Sequence, residues 1–150
     1  MPGKSLRNAF LSGLMLLLLV IPATAHHSYA MFDMNHSAVL QGSVAKVEWI
    51  NPHVFVWMYV KKPGKPGQYD LFALENGPIN MMVRYGWRKD SLKAGDKISV
   101  LYFPMRDRSK RGGYFVRSVR ADGVELKGDP HAPGVAKELA KGAVMEAPKP

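Results

Sequence analysis

The chain contains no cysteine in its 150 residues. That excludes a disulfide framework, a thiolate zinc site, an iron–sulfur cluster and a cysteine nucleophile. A Gly-rich phosphate loop, a serine nucleophile elbow and an HExxH helix are also missing, and with them the common signatures of phosphoryl transfer, acyl transfer and metallopeptidase chemistry. Acids are scarce: 12 Asp and Glu stand against 21 Lys and Arg, a net charge of +9. No internal repeat is present. What remains is ordinary globular material, 47% apolar and 22% charged, enough for one domain and short for two.

The one long apolar run is at the start. Lys4 and Arg7 precede 13 uncharged residues, Ala9–Ile21, which Pro22 ends and Ala23-Thr24-Ala25 follows. A basic start, a short apolar stretch and an A-x-A end predict a secretory signal peptide over 1–25, cut after Ala25. The run is short for a membrane anchor, which needs roughly 20 apolar residues. Cleavage leaves 125 residues with a net charge of +7. No second run reaches spanning length, so the expected product is periplasmic, with no transmembrane segment after processing. Without disulfides it must rely on its core, which a chain of this length can supply.

The mature chain is expected to open on an irregular arm, 26–37. Val39–Trp49 changes the parity of its apolar positions near Gly42, which predicts a long strand bent at a glycine. Asn51-Pro52 breaks it. His53–Val60, rich in β-branched and aromatic residues, predicts a second strand. Lys61–Gly67 is a hairpin loop, and Tyr69–Glu75 a third strand. Ile79, Met82, Val83 and Gly86 hold a helical period, so Pro78–Tyr85 predicts a short helix with proline in its first turn. Lys97–Phe103 and Tyr114–Arg120 are strands four and five, separated by the basic loop 106–113. Asp122-Gly123 turns the chain into a short extended piece, 124–126. Beyond Gly128, proline accompanies Ala, Lys and Gly, which predicts a mostly flexible C-terminal tail over 128–150 with room for a helical turn or two over Val135–Ala143. A long bent first strand, five strands in all and a helix between strands three and four predict a mainly β domain over 38–127. The expected fold is a small five-stranded barrel of the oligonucleotide/oligosaccharide-binding (OB) type. An open sheet or sandwich with one helix is the competing architecture.

Several segments together are similar to a known family. They are His26-His27-Ser28-Tyr29-Ala30-Met31-Phe32-Asp33, Gly42-Ser43-Val44, Trp49-Ile50-Asn51-Pro52-His53-Val54, Glu75 before the helix, Gly86-Trp87, Ser91–Asp96, Pro104 with its charged loop, and Arg117-Ser118-Val119 before Asp122-Gly123. The chain resembles, from His26 to Leu126, the small exported bacterial proteins of domain-of-unknown-function family six-one-five-two. The His-His-Ser start and the Asn-Pro-His segment are the most specific parts. The resemblance implies export and a small β-barrel, and no settled activity. The chain departs from the family pattern at the helix entry, where Glu75-Asn76-Gly77-Pro78 is shorter. His36 and His131 lie outside the shared motifs.

Processing itself creates the clearest chemistry. Cleavage after Ala25 makes His26 the first residue, and its free α-amine and Nδ1 can chelate one metal ion. A further imidazole completes three nitrogens in a T shape, a histidine brace. His53 can supply it. His27 is the alternative, because an amine, a deprotonated amide and a second-position histidine also chelate copper. Planar nitrogen ligation suits Cu(II), and copper stands highest in the divalent order. A free amine with a pKa of about 8 gives up its proton to a metal near neutrality. Met31 and Met34, next to these histidines, are soft candidate ligands for Cu(I), whereas Met58, Met81 and Met82 read as gap-fillers of a core. Asp33 and Glu75 are carboxylates in apolar stretches, able to orient a histidine or to pair with an arginine.

Two basic loops form a second candidate site, for an anion or a partner. They are Lys61, Lys62 and Lys65, and Arg106, Arg108, Lys110 and Arg111. With the aromatics Trp57, Tyr59, Tyr102, Phe103, Tyr114 and Phe115 on nearby strands, a cytoplasmic protein would read as a single-strand nucleic-acid binder. Export argues against that partner and favours anionic head groups or an acidic protein. The function expected is a small periplasmic binding protein that holds a metal ion, copper by ligand type, at its processed N-terminus. The alternative is a metal-free module that binds a small anionic ligand, the envelope surface or an envelope protein. No catalytic residues are assigned. A copper-dependent oxidoreductase would need an open substrate face and a redox partner, and the sequence displays neither.

Overall fold

The computed structural model describes residues 29–142 and 145–149. The expected signal peptide, His26 and His27 therefore lie outside the described residues. The strands are β1 (Ala38–Ile50), β2 (His53–Lys61), β3 (Tyr69–Pro78), β4 (Lys97–Pro104), β5 (Gly112–Arg120) and β6 (Glu125–Lys127). Two short helices complete the elements, α1 (Ile79–Arg84) between β3 and β4, and α2 (Val135–Ala140) after β6. Helix α1 falls inside the predicted span, with Pro78 at its N-cap.

The strands run in the order β3-β2-β1-β4-β5-β6, and an additional β3–β5 pairing closes the first five into a barrel. The closing pair is parallel, Ala73 to Glu75 against Gly112 to Tyr114. All other neighbours are antiparallel. This is the expected barrel with the helix in the expected place. The length of β1 makes closure possible: its first half, Ala38–Ser43, pairs with β4, and its second half, Ser43–Ile50, pairs with β2. The ladder shifts between Val44 and Lys46, just after the glycine expected to bend the strand. Gly42 has a different task. A Cβ there would lie 2.1 Å from the Tyr59 carbonyl oxygen, so only glycine lets β1 cross β2 that closely.

Strand alternation sorts the side chains into two cores. Inside the barrel are Val54, Val56, Met58, Leu74, Ile98, Val100 and Phe115, with Met82 and Trp87 closing one end. Val54, Val56, Ile98, Val100 and Val116 are all fully buried. Val116, however, belongs to the second core. That core lies outside the barrel, where Leu101, Phe103, Tyr114 and Val116 are covered by Phe32 from the arm and by Ala132 and Val135 from the C-terminal segment.

The C-terminal segment differs from the expected flexible tail. Asp129, Ala132, Val135 and Glu138 are buried, and Gly128 N donates to the Val116 carbonyl at 2.7 Å. The composition hides this because only a few apolar residues are needed to cover the outer face of β4 and β5. The arm is equally committed: Phe32 bridges Met105, and Asp33 N donates to the Pro104 carbonyl.

Candidate functional site

The parallel seam between β3 and β5 sets Tyr114 beside Glu75. On β2 and β3 the residues pointing into the barrel are Val54, Val56 and Leu74. His53 and Glu75, on the opposite parity, therefore face outward at the seam. The His53 Nδ1 lies 2.9 Å from Glu75 Oε1, with side chains 24% and 13% exposed. Tyr29 of the arm packs edge-on against Tyr114, with ring centroids 5.4 Å apart. From the other side comes Asp129, which is buried. Its backbone N–H donates to Asn76 Oδ1 at 3.3 Å, and its Oδ1 accepts from the His131 N–H at 2.9 Å. A Cβ on Gly77 would lie 2.5 Å from the Asp129 Cβ, so a glycine at the end of β3 is what lets this turn settle on the seam.

Burial sets the electrostatics. It pushes the Glu75 carboxyl up to about 7. It pushes the His53 imidazole below its ordinary value, against the opposing charge of Asp129. Both charged forms are therefore disfavoured where the two groups meet at 2.9 Å. Burial likewise raises the Tyr29 and Tyr114 hydroxyls, Tyr114 well above the ordinary range, with the charges of Asp129 and Glu75 adding to both. With Nδ1 held by the carboxylate, Nε2 is the nitrogen that His53 has left to offer a ligand. A carboxylate on one imidazole nitrogen is the arrangement that orients metal-binding histidines.

The remaining candidates separate. Of the two carboxylates, Glu75 pairs with the histidine, while Asp33 accepts from Arg108 at 2.8 Å and from His36 Nδ1 at 3.1 Å. Met31 is 48% exposed, and Met34 packs against the outer core. Met58 and Met82 are buried in the barrel, and Met81 is half-buried on α1. Among the described residues, no three His, Asp or Glu side chains gather as a metal site.

The two basic loops come together at Asp70, which receives Lys62 Nζ at 3.3 Å and Arg111 Nε at 3.1 Å. Arg106 donates to the Ala30 carbonyl at 3.0 Å and Arg108 is taken by Asp33, so much of this charge ties the arm and the loops to the barrel. Lys61, Lys65 and Lys110 are exposed. Asp129 and Tyr29 are the site residues that sequence reasoning did not single out, and Tyr114 stood out only among the aromatics near the basic loops. Asp129 lay in the presumed tail, where no local signal marks its burial.

Fold and site together define a small closed β-barrel with a half-buried histidine–glutamate pair on its outer seam, bracketed by an N-terminal arm and a C-terminal turn. The chain matches the model of a family of unknown function, DUF6152, over residues 15–114, and it belongs to that family. Comparison with curated proteins and with solved structures returned no match. Among the described residues, no helix is long and apolar enough to cross a membrane.

Proposed function

We propose that this protein is exported, is cut after Ala25, and binds a copper ion between its processed N-terminus and His53. The observation that carries the reading is the placement of the arm. Tyr29 packs on Tyr114 at the seam where Glu75 holds His53 by Nδ1. His26 is three residues upstream of Tyr29, a reach of at most about 11 Å. The α-amine and Nδ1 of His26 would then supply two nitrogens, and His53 Nε2 the third. This set suits Cu(II). The role is metal handling, with no reaction assigned.

The experiment compares three proteins under a competing chelator: the chain starting at His26, the same chain with one residue added before His26, and His53→Ala. The added residue removes the terminal amine and leaves every side chain in place. Both changes should weaken Cu(II) binding about a hundredfold or more, ~2.7 kcal/mol. Equal affinities in all three, on the order of 10⁻⁶ M or weaker, would make the histidine start an accident of export and favour the metal-free module.

A further inference from the structure

A groove of about 690 Å³ crosses the outer face of the barrel, away from His53, and is lined by Gln41, Ser43, Tyr59, Lys61, Tyr69 and Lys97. The strand register explains why these residues share one face. Ser43 pairs with both Tyr59 and Lys97, and Lys61 pairs with Tyr69. The interior is filled from the other parity by Val44, Met58 and Ile98. The residues Glu146 to Lys149 wall one side of the groove. Ser99 Oγ on β4 donates to the Glu146 carbonyl at 2.7 Å, and Pro148 is buried, so this wall is fixed to the barrel.

Tyr59 and Tyr69 are 47% and 51% exposed, two large rings left open on this face. Lys61 and Lys97 make no ion pair among the described residues, while their neighbour Lys62 is paired with Asp70. With Lys149 against Glu146, the lining carries a clear positive excess. We propose that this groove binds an acidic oligosaccharide. A tyrosine ring offers a flat apolar face that covers the C–H face of a sugar, while its hydroxyl stays wet. The two free ammonium groups complement carboxylates or sulfates, and Gln41 and Ser43 offer an amide and a hydroxyl to sugar hydroxyls. The volume falls within the usual range of small-ligand sites, about 300–1,000 Å³. The cations line a concave groove with a wall, which a flat bilayer surface cannot enter.

Titration calorimetry of the full chain, with chelator present, tests this with trigalacturonate as the acidic probe and maltotriose as its neutral counterpart. Trigalacturonate should bind with an affinity that falls as salt rises, and maltotriose about tenfold more weakly or not at all. Lys61→Gln and Lys97→Gln should each weaken trigalacturonate about fivefold, and Tyr59→Ala and Tyr69→Ala about tenfold. Lys65→Gln and His53→Ala should leave it unchanged, which separates this groove from the seam. The lysine variants decide the question if a tyrosine variant melts early. No binding at millimolar trigalacturonate, equal binding of maltotriose, or insensitivity to the lysine variants would overturn the proposal. So would tighter binding to anionic phosphatidylglycerol vesicles or to single-stranded DNA than to the sugar.

Discussion

Glu75→Gln removes a carboxyl whose burial raises it into the neutral range, while keeping its size. In the folded chain this carboxyl is raised from 4.5 to about 7. At about 1.36 kcal/mol per unit, that gap is worth ~3 kcal/mol. The folded state holds the proton more tightly than the unfolded chain. Stability from this group is therefore complete below about pH 4.5 and is lost as pH rises through about 7. His53 works the other way. Its imidazole is lowered by burial, so its cost is felt at low pH and is gone above its ordinary value of about 6.5. Above about pH 6.5 the slope from the pair is therefore that of Glu75, with His53, Asp129, Tyr29 and Tyr114 around it and both tyrosines raised out of the window. Denaturant unfolding in chelator should show the native chain losing ~3 kcal/mol relative to the glutamine variant between about pH 4 and about pH 8, of which ~1 kcal/mol falls between about pH 6 and about pH 8. Parallel profiles for the two proteins would refute the reasoning and place the carboxyl in water.

Further expectations concern the frame around the site. Gly42→Ala drives a Cβ to within 2.1 Å of the Tyr59 carbonyl oxygen, and should destabilise the barrel by about 3 kcal/mol or leave it unfolded, as read by denaturant midpoint. Trp87→Ala empties a fully buried site where the indole N–H donates to the Lys127 carbonyl at 2.7 Å and the ring meets Phe115 edge-on; a loss of about 3–5 kcal/mol is expected by the same assay. Truncation after Lys127 uncovers Phe103, Tyr114 and Val116, so the shortened chain should melt well below the full one and bind a hydrophobic dye, whereas a loose tail would be dispensable. In copper titrations, Glu75→Gln should cost about 10–100-fold in affinity with His53 still present, the usual penalty for removing the group that orients a ligand.

The barrel was legible because its signals are local and repeated. His53–Val60 alternates inward valine and methionine with outward aromatics, and proline or glycine marks the turns that separate the strands. The helix between β3 and β4 showed itself through Ile79, Met82 and Val83. The second core was not legible, because it is built from distant pieces. Phe32 lies in an arm with no strand or helix period, Ala132 and Val135 lie among proline, glycine and lysine, and only the β4–β5 pairing gives them a surface to cover. The same applies to the site. His53 stood out beside Asn51-Pro52, and Glu75 stood out as a carboxylate among apolar residues. Their contact depends on the β2–β3 register and its shift after His53. Asp129 could not be placed, since nothing local tells a buried aspartate from a solvated one in a Gly-Asp-Pro turn.

The central claim is that export creates a copper ligand which His53 completes. It is tested most directly by recovering the protein after export through its own signal and measuring intact mass and metal content on the same sample. The account predicts a chain that begins at His26 and carries about one copper per molecule, with the metal lost from His53→Ala exported the same way. A chain that begins elsewhere, or one that begins at His26 and takes up no copper when the metal is supplied, would contradict it.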